Sequence, residues 1–343
     1  MCGSVGLFVG CAALALCPRR LAVASTAEAG RTSPPVPYRS PFTGWEDRAS
    51  VRVSPRRVFS AADAERPPIA AELVPVASHP LVRALDPQRQ RPILLQHLYR
   101  YLDFTVALES IVVNRTVLGI ASGRVGVELP PEMRLDAYKI YSDEAYHALF
   151  SADLRNQIEQ VTGIPARLPD QPYFLTRLNE LLAGTDPARR PLLELLFVVV
   201  SETLISATLA EYQTSEPMAD SVRETIRDHA VDEGRHHAYF ASLLSHLWPQ
   251  LSAAEQAFAA RNVPGLVAVF LDPDVAGTQA DLRHCGFDAE QAEQITAECF
   301  APDRLAEQRR TMARQTLHYF AELGAFGDGE SQDNLQLQRL AVP

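Results

Sequence analysis

Apolar residues along this chain recur with a helical period from Pro92 onward, and four stretches keep that period well beyond the length of an average globular helix. They predict helices over about Pro92–Ala121, Arg134–Thr162, Pro187–Thr214 and Asp220–Trp248. No strand-like alternation of useful length competes with them. The second and third are joined by a long connection containing Pro165, Pro169 and Pro172, with a short helix expected near Tyr173–Ala183. Such a segment can cross the end of a bundle. Further on, Ser252 can cap a helix reaching about Leu271, Asp288 can cap another near Glu290–Phe300, and a last helix is expected over Pro302–Leu323. Residues 1–65, rich in Pro, Arg, Ser and Ala without sustained periodicity, read as an irregular arm, disordered at its start. Residues 66–325 then form the folded domain and residues 326–343 a loose polar tail.

The polar positions inside the four helices follow an order. Asp143-Glu144-Ala145-Tyr146-His147 is an Asp-Glu-x-x-His element on the second helix, and Asp232-Glu233-Gly234-Arg235-His236 repeats it on the fourth. A lone glutamate precedes each, Glu109 on the first helix and Glu202 on the third, and His229 lies one turn before Glu233. At about 100° per residue, His229, Glu233 and His236 fall near 0°, 40° and −20° and leave one narrow face. Glu144 and His147 are similarly close. Each Glu-x-x-His pair offers a carboxylate that can bridge and an imidazole that can terminate. The order glutamate, then Glu-x-x-His, occurring twice, predicts an all-α, ferritin-like four-helix bundle around a two-metal centre, with additional C-terminal helices. The candidate ligands are Glu109, Glu144, His147, Glu202, His229, Glu233 and His236. Asp143 and Asp232, each four residues before a histidine, are expected to hold the ring nitrogen that faces away from the metal.

Glu202 adds an energetic reason, because its neighbours Val198, Val199 and Ile205 are apolar. An unpaired ionised carboxylate there costs several kcal/mol, roughly, and a cation removes that difficulty. Glu109, among Val106, Val112 and Val113, repeats the situation. Carboxylate and imidazole ligands without thiolate suit iron, with manganese as the second choice. His237 points about 100° from His236 and reads as a supporting or surface residue. His97, His246, His284 and His318 read as structural or exposed; Tyr101, Tyr146 and Tyr212 could serve as pocket or electron-transfer groups, with core packing the favoured reading.

Composition narrows the class. The net charge of −10 favours solubility, and no basic run suggests a nucleic-acid partner. Cys2, Cys11, Cys17, Cys285 and Cys299 form no Cys-x-x-Cys pair, so a reducing, cytoplasmic setting is expected. Ser4–Leu16 is apolar, yet no Lys or Arg precedes it as an export signal requires. No other stretch reads as a membrane span. With no flavin or nicotinamide fingerprint, electrons are expected from an external donor, a reductase, a ferredoxin or a small reductant. Exposed helix faces leave room for a homodimer.

With these residues in place, the chain resembles the di-iron N-oxygenases of the p-aminobenzoate N-oxygenase (AurF-like) family. The resemblance rests on Leu108-Glu109 with Val113-Asn114-Arg115, on Asp143 to Ala148, on Ser201-Glu202-Thr203 and on His229-x-x-Asp232-Glu233-x-x-His236. Ser78 to Val82 and Tyr101 to Thr105 extend it to roughly residues 50–320. It implies an iron pair held by four glutamates and three histidines, matched here by the seven candidates, and O2-dependent oxidation of an arylamine through hydroxylamine toward nitroso or nitro products in natural-product biosynthesis. Glu144 and Glu233 are expected to bridge, Glu109 and His147 to complete one iron, and Glu202, His229 and His236 the other. Tyr101 to Leu108 brings no cation to the inward face, which argues against a carboxylated aniline as substrate. Tyr101, Thr105 and Ser206 are candidate pocket residues. The same ligands would also serve a C–H hydroxylase or desaturase. A ferroxidase or metal-storage role fits less well with about 75 residues of ordered chain following the bundle.

Overall fold

A computed structural model describes residues 37–341, and these contain helices and no strands. Four long helices make the bundle: α1 (Pro87–Ala121), α2 (Pro131–Thr162), α3 (Arg190–Thr214) and α4 (Asp220–Leu247). α3 packs along α4 and α1 along α2, and the Tyr173–Ala183 helix sits in the long crossover between α2 and α3. The all-α, ferritin-like expectation is met.

Local chemistry sets the boundaries. α1 begins at Pro87, five residues before the expected Pro92, because the Asp86 side chain accepts from the Arg89 backbone N–H and Pro87 opens the first turn. Pro92 then falls inside the helix, where its missing N–H removes one early backbone bond. α2 stops at Gly163, whose φ of 68° takes the left-handed conformation that glycine adopts without a Cβ clash. Ser252 and Asp288 make the expected caps, each completed as a capping box, opening α5 (Ala253–Leu271) and the Ala289–Cys299 helix. α6 (Pro302–Glu322) follows and packs on α3 and α5.

One feature of α1 has no counterpart in the sequence reading. Leu108–Val113 forms a π-helical turn carrying Glu109. The turn accommodates an extra residue and shifts the helix phase there, as such turns often do at functional sites.

Both ends depart from expectation. Residues 37–65 are more than a loose arm: Trp45–Arg48, Ser50–Val53 and Ala61–Ala64 are helical turns, and Phe42 and Phe59 are buried against the bundle. The earlier part of the arm, including the apolar Ser4–Leu16 stretch, lies outside the described residues. The tail holds α7 (Gly329–Leu337), capped by Asp328 and packed on α5. Phe326, Leu335 and Leu340 bury there, and that burial offsets the cost of ordering a polar segment. α1 and α3 also turn out long and apolar enough to cross a membrane, contrary to expectation, but 78% of the most apolar α3 window is buried inside the bundle. Their hydrophobicity belongs to the core.

Candidate metal centre

All seven candidate ligands meet in the bundle interior, buried to 2% exposure or less. Their ligand atoms form three overlapping groups, each within 4.8 Å: Glu109, His147, His229 and Glu233; Glu144, His147, Glu233 and His236; Glu109, Glu144 and Glu202. His147 Nδ1 lies 2.9 Å from Glu144 and 3.5 Å from Glu233, and His236 Nδ1 lies 2.9 Å from Glu144 and 3.2 Å from Glu233. Glu144 and Glu233 thus touch both histidines and occupy the middle.

The third histidine is on the other side from the expected one. His229 Nε2 faces Glu109 at 3.6 Å and Glu233 at 3.2 Å, and its ring centroid is 4.4 Å from that of His147. Glu202 instead approaches His236, at 3.8 Å. The halves are therefore Glu109 with His147 and His229, and Glu202 with His236. His229 and His236 share a helix face but stand seven residues, roughly 10 Å, apart along the axis. They flank Glu233 from opposite ends.

The supporting aspartates are crossed between helices. His147 Nε2 bonds Asp232 at 3.1 Å and His236 Nε2 bonds Asp143 at 3.2 Å, whereas the sequence reading paired each histidine with the aspartate of its own helix. Because Nδ1 turns back toward the glutamate three residues earlier, Nε2 projects across to the neighbouring helix. The arm closes both pairs. Trp45 Nε1 donates to both Asp143 oxygens at 2.9 Å, while Asp232 accepts from the Ser50 backbone N–H and hydroxyl and from Arg235. Phe42 stacks on His236 from the same segment, at 6.0 Å between centroids.

Electrostatics mark the centre as short of positive charge. Burial, then the Glu144 and Glu233 charges, pushes Glu109 well above the usual carboxylate range, and burial with Glu233 and Glu144 does the same to Glu202. Burial and His229 oppose the charged form of His147, but hydrogen bonds to Asp232 and Glu144 raise it to about 9. His236 is also raised, its burial outweighed by the charges of Glu144 and Glu233. Burial works against charge on Asp232 too, yet hydrogen bonds from His147 and Ser50 bring it to about 2. Both oxygens of Glu109 and Glu202, one each of Glu144 and Glu233, and His229 Nε2 are buried without a hydrogen-bond partner. Seven unpartnered acceptors of this kind would be costly together unless a cation met them. The residues fit a pair of metal ions.

Beside the centre lies a cavity of about 350 Å³ between α1, α3, the crossover and α5. Tyr101 lines it, stacked on Tyr212 at 4.9 Å between centroids. Thr105 and Ser206 do not line it. The Thr105 hydroxyl donates back to the Tyr101 carbonyl and the Ser206 hydroxyl points to the Glu233 carbonyl, so both serve helix contacts. His97, read as structural, does line the cavity 3.4 Å from the Tyr212 hydroxyl, and burial with the nearby Arg100 lowers it to about 4. His237 bonds the Tyr319 hydroxyl at 2.8 Å, outside the centre. Cys285 and Cys299 are unpaired thiols. Trp45, Ser50, Arg235 and His97 are what the sequence reading missed, and only Arg235, three residues after Asp232, carried a local signal.

A four-helix bundle with two Glu-x-x-His elements and two further inward glutamates places the protein in the ferritin-like class, with a carboxylate-rich cluster that could hold metal. Within that class, residues 43–324 match the family model described as P-aminobenzoate N-oxygenase AurF, and the chain belongs to that family. It is 24% identical over 221 residues to a 4-aminobenzoate N-oxygenase of Streptomyces thioluteus, a match covering 63% of this chain and 65% of the relative. The match thus spans just under two thirds of that relative's length.

Proposed function

We propose that the protein is an O2-dependent N-oxygenase that uses two iron ions to oxidise an arylamine. The observation that carries this reading is the convergence of seven buried ligands, with unpartnered oxygens and nitrogen, in a chain of an N-oxygenase family. Glu109, His147 and His229 would hold one ion, Glu202 and His236 the other, and Glu144 and Glu233 would be shared. Bound iron would supply the activation of O2.

The chain's own groups do the rest. Burial of every ligand excludes bulk water from the centre. The crossed aspartates fix the direction of the His147 and His236 rings. The cavity admits an organic amine, which metal storage would not require. The first oxygenation balances as R–NH2 + O2 + 2 e⁻ + 2 H⁺ → R–NHOH + H2O, its electrons coming from an external reductant such as a ferredoxin. Further rounds would give nitroso and nitro products.

The test is mass spectrometry of an arylamine panel after the iron-loaded, chemically reduced protein meets ¹⁸O2. Label on nitrogen is expected. Label on carbon would replace the proposal with hydroxylation, and iron oxidation with no labelled organic product would replace it with ferroxidase chemistry.

A further inference from the structure

The cavity beside the centre has an uneven distribution of charge. Its deep wall is aromatic and aliphatic: Phe104 packs edge-on to Phe174 at 4.6 Å and to Phe270 at 5.4 Å between centroids, and Ile205 completes it. Ile205 stands three residues after Glu202 on the same helix face, so it turns this wall toward the ligands. Among the lining residues only Arg100 carries a full positive charge, against Glu72, Glu211, Asp103, Asp272 and Asp274. Arg100 is already engaged: Nε donates to Asp281, Nη1 to Asp274 and Nη2 to the Gly277 carbonyl, at 2.9, 3.0 and 3.0 Å. Asp103 pairs with Arg155, and Asp272 with Arg177 and Arg309. Glu72 and Glu211 are exposed and have no ion-pair partner among the described residues, so the cavity's field is negative. Among the polar groups that share the cavity with the apolar wall, His97 and Tyr212 stand together, 3.4 Å apart.

Building on the N-oxygenase reading, we infer that the substrate is an arylamine bearing no carboxylate, with an uncharged hydrogen-bonding group held by His97 and Tyr212. A carboxylate entering here would meet two free glutamates and no available cation, and like-charge contact of this kind is an effective means of rejection. The volume lies within the range of small-molecule sites and leaves room for more than a single ring. This chain would therefore differ in substrate from the relative named for 4-aminobenzoate.

Isothermal titration of the anaerobic, iron-loaded protein with 4-aminobenzoate, its methyl ester and 4-aminobenzamide tests the inference. The ester and amide are expected to bind about tenfold or more tighter than the acid, and the gap should narrow as salt screens the glutamates. Tighter binding of the acid, or no binding of any of the three, would overturn it. Thr208→Trp, which fills the cavity from a partly exposed wall, should abolish ester binding while iron content stays unchanged; undiminished binding would place the ligand elsewhere. ¹⁸O analysis of the same mixtures separates the two readings. An ester that binds but gains no oxygen on nitrogen would remove the N-oxygenase reading and leave the charge selection standing, whereas an oxygenated, preferred 4-aminobenzoate would do the reverse.

Discussion

The two histidine–aspartate pairs at the centre look alike from inside and differ from outside. His236–Asp143 is closed by one group, the indole N–H of Trp45. His147–Asp232 is closed by three, the Ser50 backbone N–H, the Ser50 hydroxyl and the Arg235 guanidinium. The inner halves differ as well, one holding two histidines and the other a single one. A sequence repeat has thus become an unequal pair of candidate sites, and the arm, which lies outside the repeat, contributes to the inequality through Trp45 and Ser50. Two sites that share Glu144 and Glu233 but are braced differently should respond differently to damage.

The largest expected effect erases the comparison. Glu233→Ala removes a carboxylate that reaches all three histidines, so both ions should be lost and oxygenation become undetectable, as elemental analysis and product assay would show. Glu202→Gln is milder and one-sided: about one iron per chain should remain. Because burial makes Glu202 hard to ionise in the fold while the unfolded chain ionises it freely, the neutral amide should let the metal-free variant melt a few °C higher than metal-free wild type, in keeping with about 1 kcal/mol. An unchanged melting temperature would count against metal as the reason for that carboxylate.

The aspartates come next. Asp143→Asn and Asp232→Asn should each weaken metal binding by about 10- to 100-fold, in different halves, measured by competition with a chelator. At the outer layer the inequality of the braces becomes measurable. Trp45→Phe takes away the one brace of Asp143 and should weaken the His236 half by about tenfold, consistent with a hydrogen bond to a charged group. Ser50→Ala leaves Asp232 its backbone and guanidinium donors, and the loss in the other half should be smaller. Equal effects would mean that the arm does not distinguish the sites.

The smallest effect is a proton count. In the metal-free protein burial and neighbouring carboxylates raise Glu109 and Glu202, carboxylate partners raise His147 to about 9, and His236 is raised too, so each of the four holds its proton more tightly than an exposed residue of its type. Metal must displace these protons, so binding should release protons and weaken as pH falls. Titration calorimetry in buffers of different ionisation enthalpy would reveal the release.

How much of this was legible follows the same division. The convergence of the seven candidate ligands could be read because each helix carries its own periodic frame, and that frame fixes which residues share a face. The crossed bonds could not, since Trp45 reaches Asp143 across 98 positions and Ser50 reaches Asp232 across 182. The arm's Pro- and Arg-rich composition hid the few residues, Phe42, Trp45 and Ser50, that dock it. The π turn at Leu108–Val113 left no mark in a pattern read at 3.6 residues per turn. The tail hides its helix for a similar reason: Phe326, Leu335 and Leu340 are too sparse to show a period, yet they find the surface of α5.

Iron content after anaerobic loading and desalting, measured per chain in wild type and in Glu202→Gln, bears most directly on a two-ion centre with separable halves. Two irons in wild type and one in the variant are expected. A single iron in wild type, or the loss of both in the variant, would contradict the division of the seven ligands described above.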